Sequence, residues 1–416
     1  MTLPAFSSLF AQPTGSPIRE LFPYLSQPGI ISLAGGYPSP SLFDVEGLDE
    51  ACQRTMVRGG AVLQYGPTEG QPELREALGA LMAGRGGVAG AGDVLVTTGS
   101  QQAFDLLLRV FLDPGDTVLI ESPAYPAAIQ ALRLANARLI TVPTDANGLD
   151  IDRLRVILAE SPIHQRPKLL YTVPNFSNPG GTLLADGRRR ELVALAVEYG
   201  VLIVEDDPYG ELTFTGHKAT TLYQYGAEWQ ASDNPVVYLS SLSKTVAPAL
   251  RTGWLVARPD VLRRCAIAKQ TVDLCTSALT QAIAAEYLRL GRYEERVSLA
   301  AAEYSRRMQT LTEALSETLT DRVRFVTPEG GMFLWVDIVS PIDSAVLFQA
   351  AVRANVLYVP GTAFDPEGKG LQAMRLSFAG PDMPQIQEAV VRLGQAFAEA
   401  ETAGIQTKSV PAHHQH

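Results

Sequence analysis

The sequence predicts an α/β protein: a three-layer large domain on a mostly parallel sheet, followed by a smaller α+β domain. Three observations predict it. From about Asp93 the chain alternates short apolar runs with amphipathic stretches, the pattern of βαβ units and of a parallel sheet covered on both faces. After about Asp273 long helical stretches take over, and short strands follow them. The chain has 416 residues, 46% of them hydrophobic, which is ample material for more than one domain. Residues 1–45 are expected to form an N-terminal arm that joins the small domain and covers the binding side. Residues 46–285 are expected to form the large domain, and 286–416 the small domain with a frayed tail.

The elements follow in order. The arm is rich in Pro, Ser and Gly, with a short helix over Arg19 to Leu25 and a turn-prone segment over Ser32 to Pro38. Val94 to Thr97 reads as a strand, Gln101 to Leu112 as a helix, Asp113 to Asp116 as a turn and Thr117 to Ile120 as the next strand. Further strands are predicted at Arg138 to Val142, Leu169 to Val173, Val201 to Val204 and Val236 to Ser240, with helices such as Arg188 to Tyr199 between them. Helices over Ser277 to Leu290 and Tyr293 to Leu319 precede strands at Gly330 to Val336, Val356 to Pro360 and Ala373 to Phe378. A last helix spans Met383 to Ala400.

A formal net charge of −10 argues against nucleic acid or anionic membrane as a partner. Cys52, Cys265 and Cys275 are scattered and odd in number, which speaks for reduced thiols rather than a disulfide framework or a metal site. Met1 to Gln12 has no basic segment ahead of a long apolar stretch, so no signal peptide is read there. No apolar run approaches the ~20 residues that a membrane span needs. The expected compartment is the cytoplasm. The histidines at the end, Ala412 to His416, are read as a frayed tail and not as a metal cluster; His164 and His217 are given no role.

Open parallel sheets bind ligands at the carboxyl ends of their strands. Four consecutive βα units are expected to bring polar residues there. Thr98, Gly99, Ser100 and Gln101 follow the first of these strands; Asn178 follows Leu169 to Val173; Asp206 and Tyr209 follow Val201 to Val204; Ser241, Ser243 and Lys244 follow Val236 to Ser240. This set meets the needs of pyridoxal 5′-phosphate. A desolvated lysine, Lys244, can hold the cofactor aldehyde as a Schiff base and later move a proton. A buried carboxylate, Asp206, can keep the pyridine nitrogen protonated. Tyr209 and Asn178 can donate to the phenolic oxygen. Gly99, Ser100 and Gln101 at a helix N-terminus, with Ser241, Ser243 and Arg251, can hold the phosphate. Arg375, alone among apolar neighbours, offers a planar fork for a substrate carboxylate.

The chain resembles the class I/II aminotransferases of the aspartate-aminotransferase superfamily, and most closely their kynurenine/2-aminoadipate branch. The resemblance rests on Leu33-Ala-Gly-Gly36, Leu63-Gln-Tyr-Gly66, Thr98-Gly-Ser-Gln-Gln102, Ser122-Pro-Ala-Tyr125, Tyr171-Thr-Val-Pro-Asn175 and Asn178-Pro179. It continues through Glu205-Asp-Asp-Pro-Tyr209, Ser241-Leu-Ser-Lys244, Leu250-Arg-Thr-Gly253, Gly331-Met-Phe-Leu-Trp335 and Met374-Arg-Leu-Ser-Phe378, in the family's order over nearly the whole chain. It implies the aspartate-aminotransferase-like fold and transfer of an amino group from an L-amino acid to a 2-oxo acid such as 2-oxoglutarate. Acidic (2-aminoadipate), aromatic and branched-chain donors all fall within the branch. It also implies that Tyr125 stacks on the cofactor ring, and that Gly36 and Arg19 line the substrate side. In a homodimer with shared active sites, Tyr65 would reach the partner's cofactor phosphate. One departure is visible. Asn178-Pro-Gly180-Gly181 stands where the family usually has Asn-Pro-Thr-Gly, which is expected to loosen the turn and remove a hydrogen bond.

The nearest alternative is another reaction of the same cofactor, such as a C–S lyase or a decarboxylase, with Lys244 and Asp206 unchanged. A transcription regulator built on this domain would need some 60 further residues before the arm, and Gly35-Gly36 already belongs to the domain.

Overall fold

The computed structural model describes residues 4–11, 15–25, 27–85, 90–229 and 233–408. The tail expected at Ala412 to His416 lies outside these residues. The strands in chain order are β1 (Ile31–Ser32), β2 (Val94–Thr97), β3 (Thr117–Ser122), β4 (Arg138–Asp145), β5 (Gly148–Leu149), β6 (Leu169–Thr172) and β7 (Leu202–Asp206). They continue with β8 (Val236–Ser241), β9 (Gly253–Val256), β10 (Val323–Phe325), β11 (Phe333–Ile338), β12 (Val356–Leu357), β13 (Val359–Pro360) and β14 (Ala373–Ser377).

The main sheet has the order β2-β9-β8-β7-β6-β3-β4-β5. β8, β7, β6, β3 and β4 run parallel, and β9 is antiparallel to both of its neighbours. Every residue of β2, β6, β7, β8 and β9 is buried, as expected of strands covered on both faces. Leu119, Ile120, Leu170 and Ile203 are almost wholly out of water, each worth about 2 kcal/mol in burial. β10, β11, β14 and β13 form an antiparallel sheet of four. The arm returns to this part of the chain, because β1 pairs in parallel with β12.

Several expectations change. β9 is not among the predicted strands: it is four residues long and buried throughout, so no alternation marks it. It lies between β2 and β8 in the sheet. Asp206 ends β7 instead of following a strand that stops at Val204. The strand expected over Val356 to Pro360 divides at Tyr358, since β12 serves the arm and β13 serves β14. The strand expected from Gly330 begins at Phe333. The short arm helix is a 3-10 turn, Arg19–Leu21, leading into Phe22–Leu25, and the last helix runs on to Lys408.

Candidate active site

A cleft of about 460 Å³ opens at the carboxyl ends of the parallel strands. Of the residues singled out in the sequence, Lys244, Asp206, Tyr209, Asn178, Ser100, Gln101, Tyr125, Ser241, Ser243, Arg251, Arg375, Gly36 and Arg19 all line it. Tyr65 does not; its side chain is 78% exposed, away from the cleft of its own chain.

Lys244 stands three residues past β8 and donates to the carbonyl of Gly36 at 2.7 Å. Burial, with the positive charges of Arg375 and Arg251, pulls its ammonium down to about 8, and Asp206 opposes this. Asp206 accepts a 2.6 Å hydrogen bond from the Tyr171 hydroxyl on Oδ2. Burial pushes its carboxyl up to about 6 against that bond. Its Oδ1 is buried without a partner. The two acids beside it point elsewhere. Glu205 caps the helix Leu222–Trp229 through the N–H groups of Leu222 and Tyr223, both at 2.9 Å, and Asp207 pairs with Arg85 at 2.6 Å.

At one end of the cleft the helix Ser100–Phe111 begins, behind Gly99 at φ +85°. The first N–H groups of a helix have no partners within it and attract anions. Arg251, itself left-handed at φ +47°, sets its guanidinium against this turn and donates to the Thr98 carbonyl at 3.2 Å. Gly253 makes the approach possible: a Cβ there would lie 2.4 Å from the Gly99 carbonyl carbon and 2.6 Å from the Ser100 nitrogen. Ser241 Oγ sits 2.7 Å from Ser243 Oγ and accepts the Ser243 N–H at 3.0 Å.

At the other end, Arg375 in β14 is almost fully buried. It donates to Asn178 Oδ1 at 2.8 Å and to the Ala34 carbonyl at 2.6 Å, and it lies over the rings of Phe333 and Phe364. No acid pairs with it among the described residues, its Nε has no partner, and burial pulls it down to about 10. A buried cation without a carboxylate is costly and is poised to take one. Tyr209 packs edge-on against Phe333, bonds Asn178 and is pushed upward by burial. Burial and Asp206 push Tyr125 up to about 12.

Sequence reasoning gave no role to Tyr171, Tyr37 or Gln130, which also line the cleft. Tyr171 stands inside a buried strand, where an aromatic reads as core. The one signal was that a buried hydroxyl needs a partner. The turn at Gly180 is not loose. Ser177 Oγ and Thr182 Oγ1 meet at 2.9 Å, and the Gly181 N–H bonds the Ser177 carbonyl at 2.7 Å. A Cβ at Gly180 would fall 2.8 Å from Ser177 Oγ, so the Ser177 hydroxyl would have to shift to admit a side chain there.

An unpartnered carboxylate oxygen on Asp206, a lysine pulled down to about 8 and the free N–H groups of a helix start beside Arg251 fit pyridoxal phosphate. These features define an enzyme dependent on that cofactor. Residues 34–393 match the model of the family Aminotransferase class I and II, and the chain belongs to that family. It is 41% identical over 383 residues to the 2-aminoadipate transaminase of Thermus thermophilus, covering 92% of this chain and 94% of that one. It is 38% identical over 387 residues to aromatic-amino-acid aminotransferase 1 of Thermococcus litoralis, covering 92% of each. The solved structure of LysN, an alpha-aminoadipate aminotransferase of Thermus thermophilus complexed with N-(5′-phosphopyridoxyl)-L-leucine, superposes with a TM-score of 0.88. It is 38% identical, over 96% of this chain and 98% of that one. The protein is a pyridoxal-phosphate-dependent aminotransferase. The family and these relatives carry amino-group transfer and give no support to the lyase or decarboxylase alternative. No described helix is long and apolar enough to cross a membrane.

Proposed function

We propose that Lys244 holds the cofactor and moves the proton, that Asp206 faces its ring nitrogen, and that Arg375 binds the α-carboxylate of an L-amino acid. The observation that carries this reading is a single cleft that gathers Lys244, its ammonium pulled down to about 8, with an unpartnered carboxylate oxygen on Asp206 and the acid-free guanidinium of Arg375. The cofactor, when bound, supplies an electron sink for the charge left at the substrate Cα. The rest is work for the chain. Asp206 holds a positive charge at the ring nitrogen. Tyr209 and Asn178 donate to the phenolic oxygen, and Tyr125 covers the ring face. Ser100, Gln101, Ser241, Ser243 and Arg251 hold the phosphate. Nζ of Lys244 takes the Cα proton and returns it one position away.

Arg19, Ile18, Ser16 and Tyr37 border the cleft on the arm side. Arg19 makes an acidic side chain such as that of 2-aminoadipate the first donor to test, with aromatic and branched-chain donors after it and 2-oxoglutarate as acceptor. The chain is read as a cytoplasmic homodimer in which Tyr65 reaches the partner's phosphate site. Exposed Met56, Val57 and Leu63 near it in sequence support a covered surface. Residues 46–285 serve as the large domain, and 1–45 with 286–416 as the part that closes over substrate.

The test is a half-reaction. The purified, cofactor-loaded protein receives single L-amino acids and no 2-oxo acid, with absorbance followed. Conversion to the pyridoxamine form, with one equivalent of 2-oxo acid released per site, is expected for 2-aminoadipate. Multiple turnovers without that form would overturn transfer, and conversion by alanine but not by 2-aminoadipate would overturn the acidic-donor reading.

A further inference from the structure

Beneath the cleft lies a second buried ionic cluster that the reaction does not touch. The helix Pro72–Gly84 ends in Arg85, whose Nη1 lies 2.6 Å from Asp207 Oδ2 and 2.7 Å from the Tyr238 hydroxyl. Its Nε lies 3.1 Å from Glu211 Oε1. Glu211 has a second cation, Lys218, at 2.6 Å, whereas Arg85 is the one described cation in ion-pair range of Asp207. Replacing Arg85 would therefore leave Asp207, and not Glu211, uncompensated.

Asp207 follows Asp206 and grips the chain on both sides of it. Its Oδ1 accepts the Gly210 N–H at 2.9 Å, and the Tyr238 hydroxyl donates to Oδ2 at 3.1 Å. Its own N–H reaches the Leu239 carbonyl at 2.8 Å, and its carbonyl accepts Ser240 Oγ at 2.7 Å. The space is cut for this pair: a Cβ on Gly210 would stand 2.4 Å from Arg85 Nη2 and 2.6 Å from Asp207 Oδ1. The segment from Asp206 to Tyr209, which brings Asp206, Pro208 and Tyr209 to the cleft, is thus tied down by the Asp207 carboxylate.

We propose that Arg85 is a positioning residue for amino-group transfer: by pairing with Asp207 it fixes the Asp206–Tyr209 turn and shields Asp206 from a second negative charge. The inference rests on the reading of Asp206 as the ring-nitrogen partner. Asp207 already pushes Asp206 upward, while the Tyr171 hydrogen bond and Lys244 push it down. Asp207 also acts on Glu205, Tyr238 and Arg189, and Arg85 acts on Tyr293. Without Arg85, the buried charge of Asp207 acts on Asp206 with no cation in ion-pair range, and Asp206 takes up its proton at higher pH.

The experiment compares wild type with Arg85→Met, Arg85→Lys, the double variant Arg85→Met/Asp207→Asn, and Asp206→Asn as reference. Two quantities are read against pH: cofactor absorbance retained after desalting, and the melting temperature of the cofactor-free protein. Arg85→Met should lose cofactor on the acid side at a pH about one unit higher than wild type, with the acid limb of the melting curve displaced in the same direction. Arg85→Lys should recover most of that shift, and the double variant should return to the wild-type limb. An unmoved limb in Arg85→Met, or a double variant displaced as far as the single one, overturns the proposal. If Asp206→Asn keeps cofactor like wild type, the reading of Asp206 falls and this inference with it. If Asp206→Asn loses cofactor while Arg85→Met does not, this inference falls alone. Should Arg85→Met not fold, Arg85→Gln, which removes the charge but keeps hydrogen-bond donors, takes its place: a displaced limb that the added Asp207→Asn restores supports the role, and an unmoved limb overturns it.

Discussion

Lys244 carries its function as a cost to the empty fold. Its ammonium is pulled from 10.5 to about 8 by burial and by two arginines. Below pH 8 folded and unfolded chains both bind the proton, and the folded chain bears the full penalty. The penalty is released as pH rises from about 8 towards 10.5, where only the unfolded chain stays protonated. Lys244→Met should therefore stabilise the cofactor-free protein at pH 7 by about 1–3 kcal/mol, with the gain shrinking above pH 8. Urea unfolding at pH 7 and pH 10 checks it, and equal stability at pH 7 would count against the burial argument. The substrate contact proposed for Arg375 rests on the planar fork of its guanidinium. Arg375→Lys keeps the charge and loses the fork, so KM for the amino acid should rise about 100-fold while cofactor retention stays as it was. Loss of cofactor would place Arg375 elsewhere in the mechanism. Lys244, Asp206, Asn178 and Arg375 were legible because each residue type is rare where it stood, at a strand end or alone among apolar neighbours. Tyr171 was not, because its hydroxyl matters only once the register of β6 against β7 brings it to Asp206.

At the scale of elements, the proposed phosphate site depends on β9 passing tightly under the start of the helix Ser100–Phe111. Gly253→Ala puts a methyl into backbone that cannot yield, 2.4 Å from the Gly99 carbonyl carbon. It should cost about 1–3 kcal/mol of stability and weaken cofactor binding at least tenfold, read by thermal melting and by equilibrium dialysis. Binding equal to wild type would mean that this turn does not hold the phosphate. The parallel strands were readable from their apolar runs and the turns after them. β9 and the division of β12 from β13 were not, because both are decided by partners distant in sequence: β2 and β8 for the first, the arm for the second. The Gly180 turn shows the same limit. The turn expected to be loose is held by a hydrogen bond between Ser177 and Thr182, which the motif does not include.

For the whole molecule, the cleft is built from residues as far apart as Gly36 and Arg375, and alternation of strands and helices sufficed to forecast the fold that gathers them. Association is a separate matter. Tyr65 lies outside its own cleft, so Tyr65→Ala should weaken cofactor retention only if a partner chain carries it to the phosphate. Sedimentation of the wild type as a dimer together with loss of cofactor in the variant is expected; a monomer with full retention would remove Tyr65 from the site. The central claim is that Lys244 carries the cofactor. Borohydride reduction of the loaded protein makes the lysine–cofactor linkage permanent, and digestion with mass spectrometry locates it. The phosphopyridoxyl mass is expected on the peptide containing Lys244 and on no other; the same mass on a different lysine, or on none, would remove Lys244 from this role.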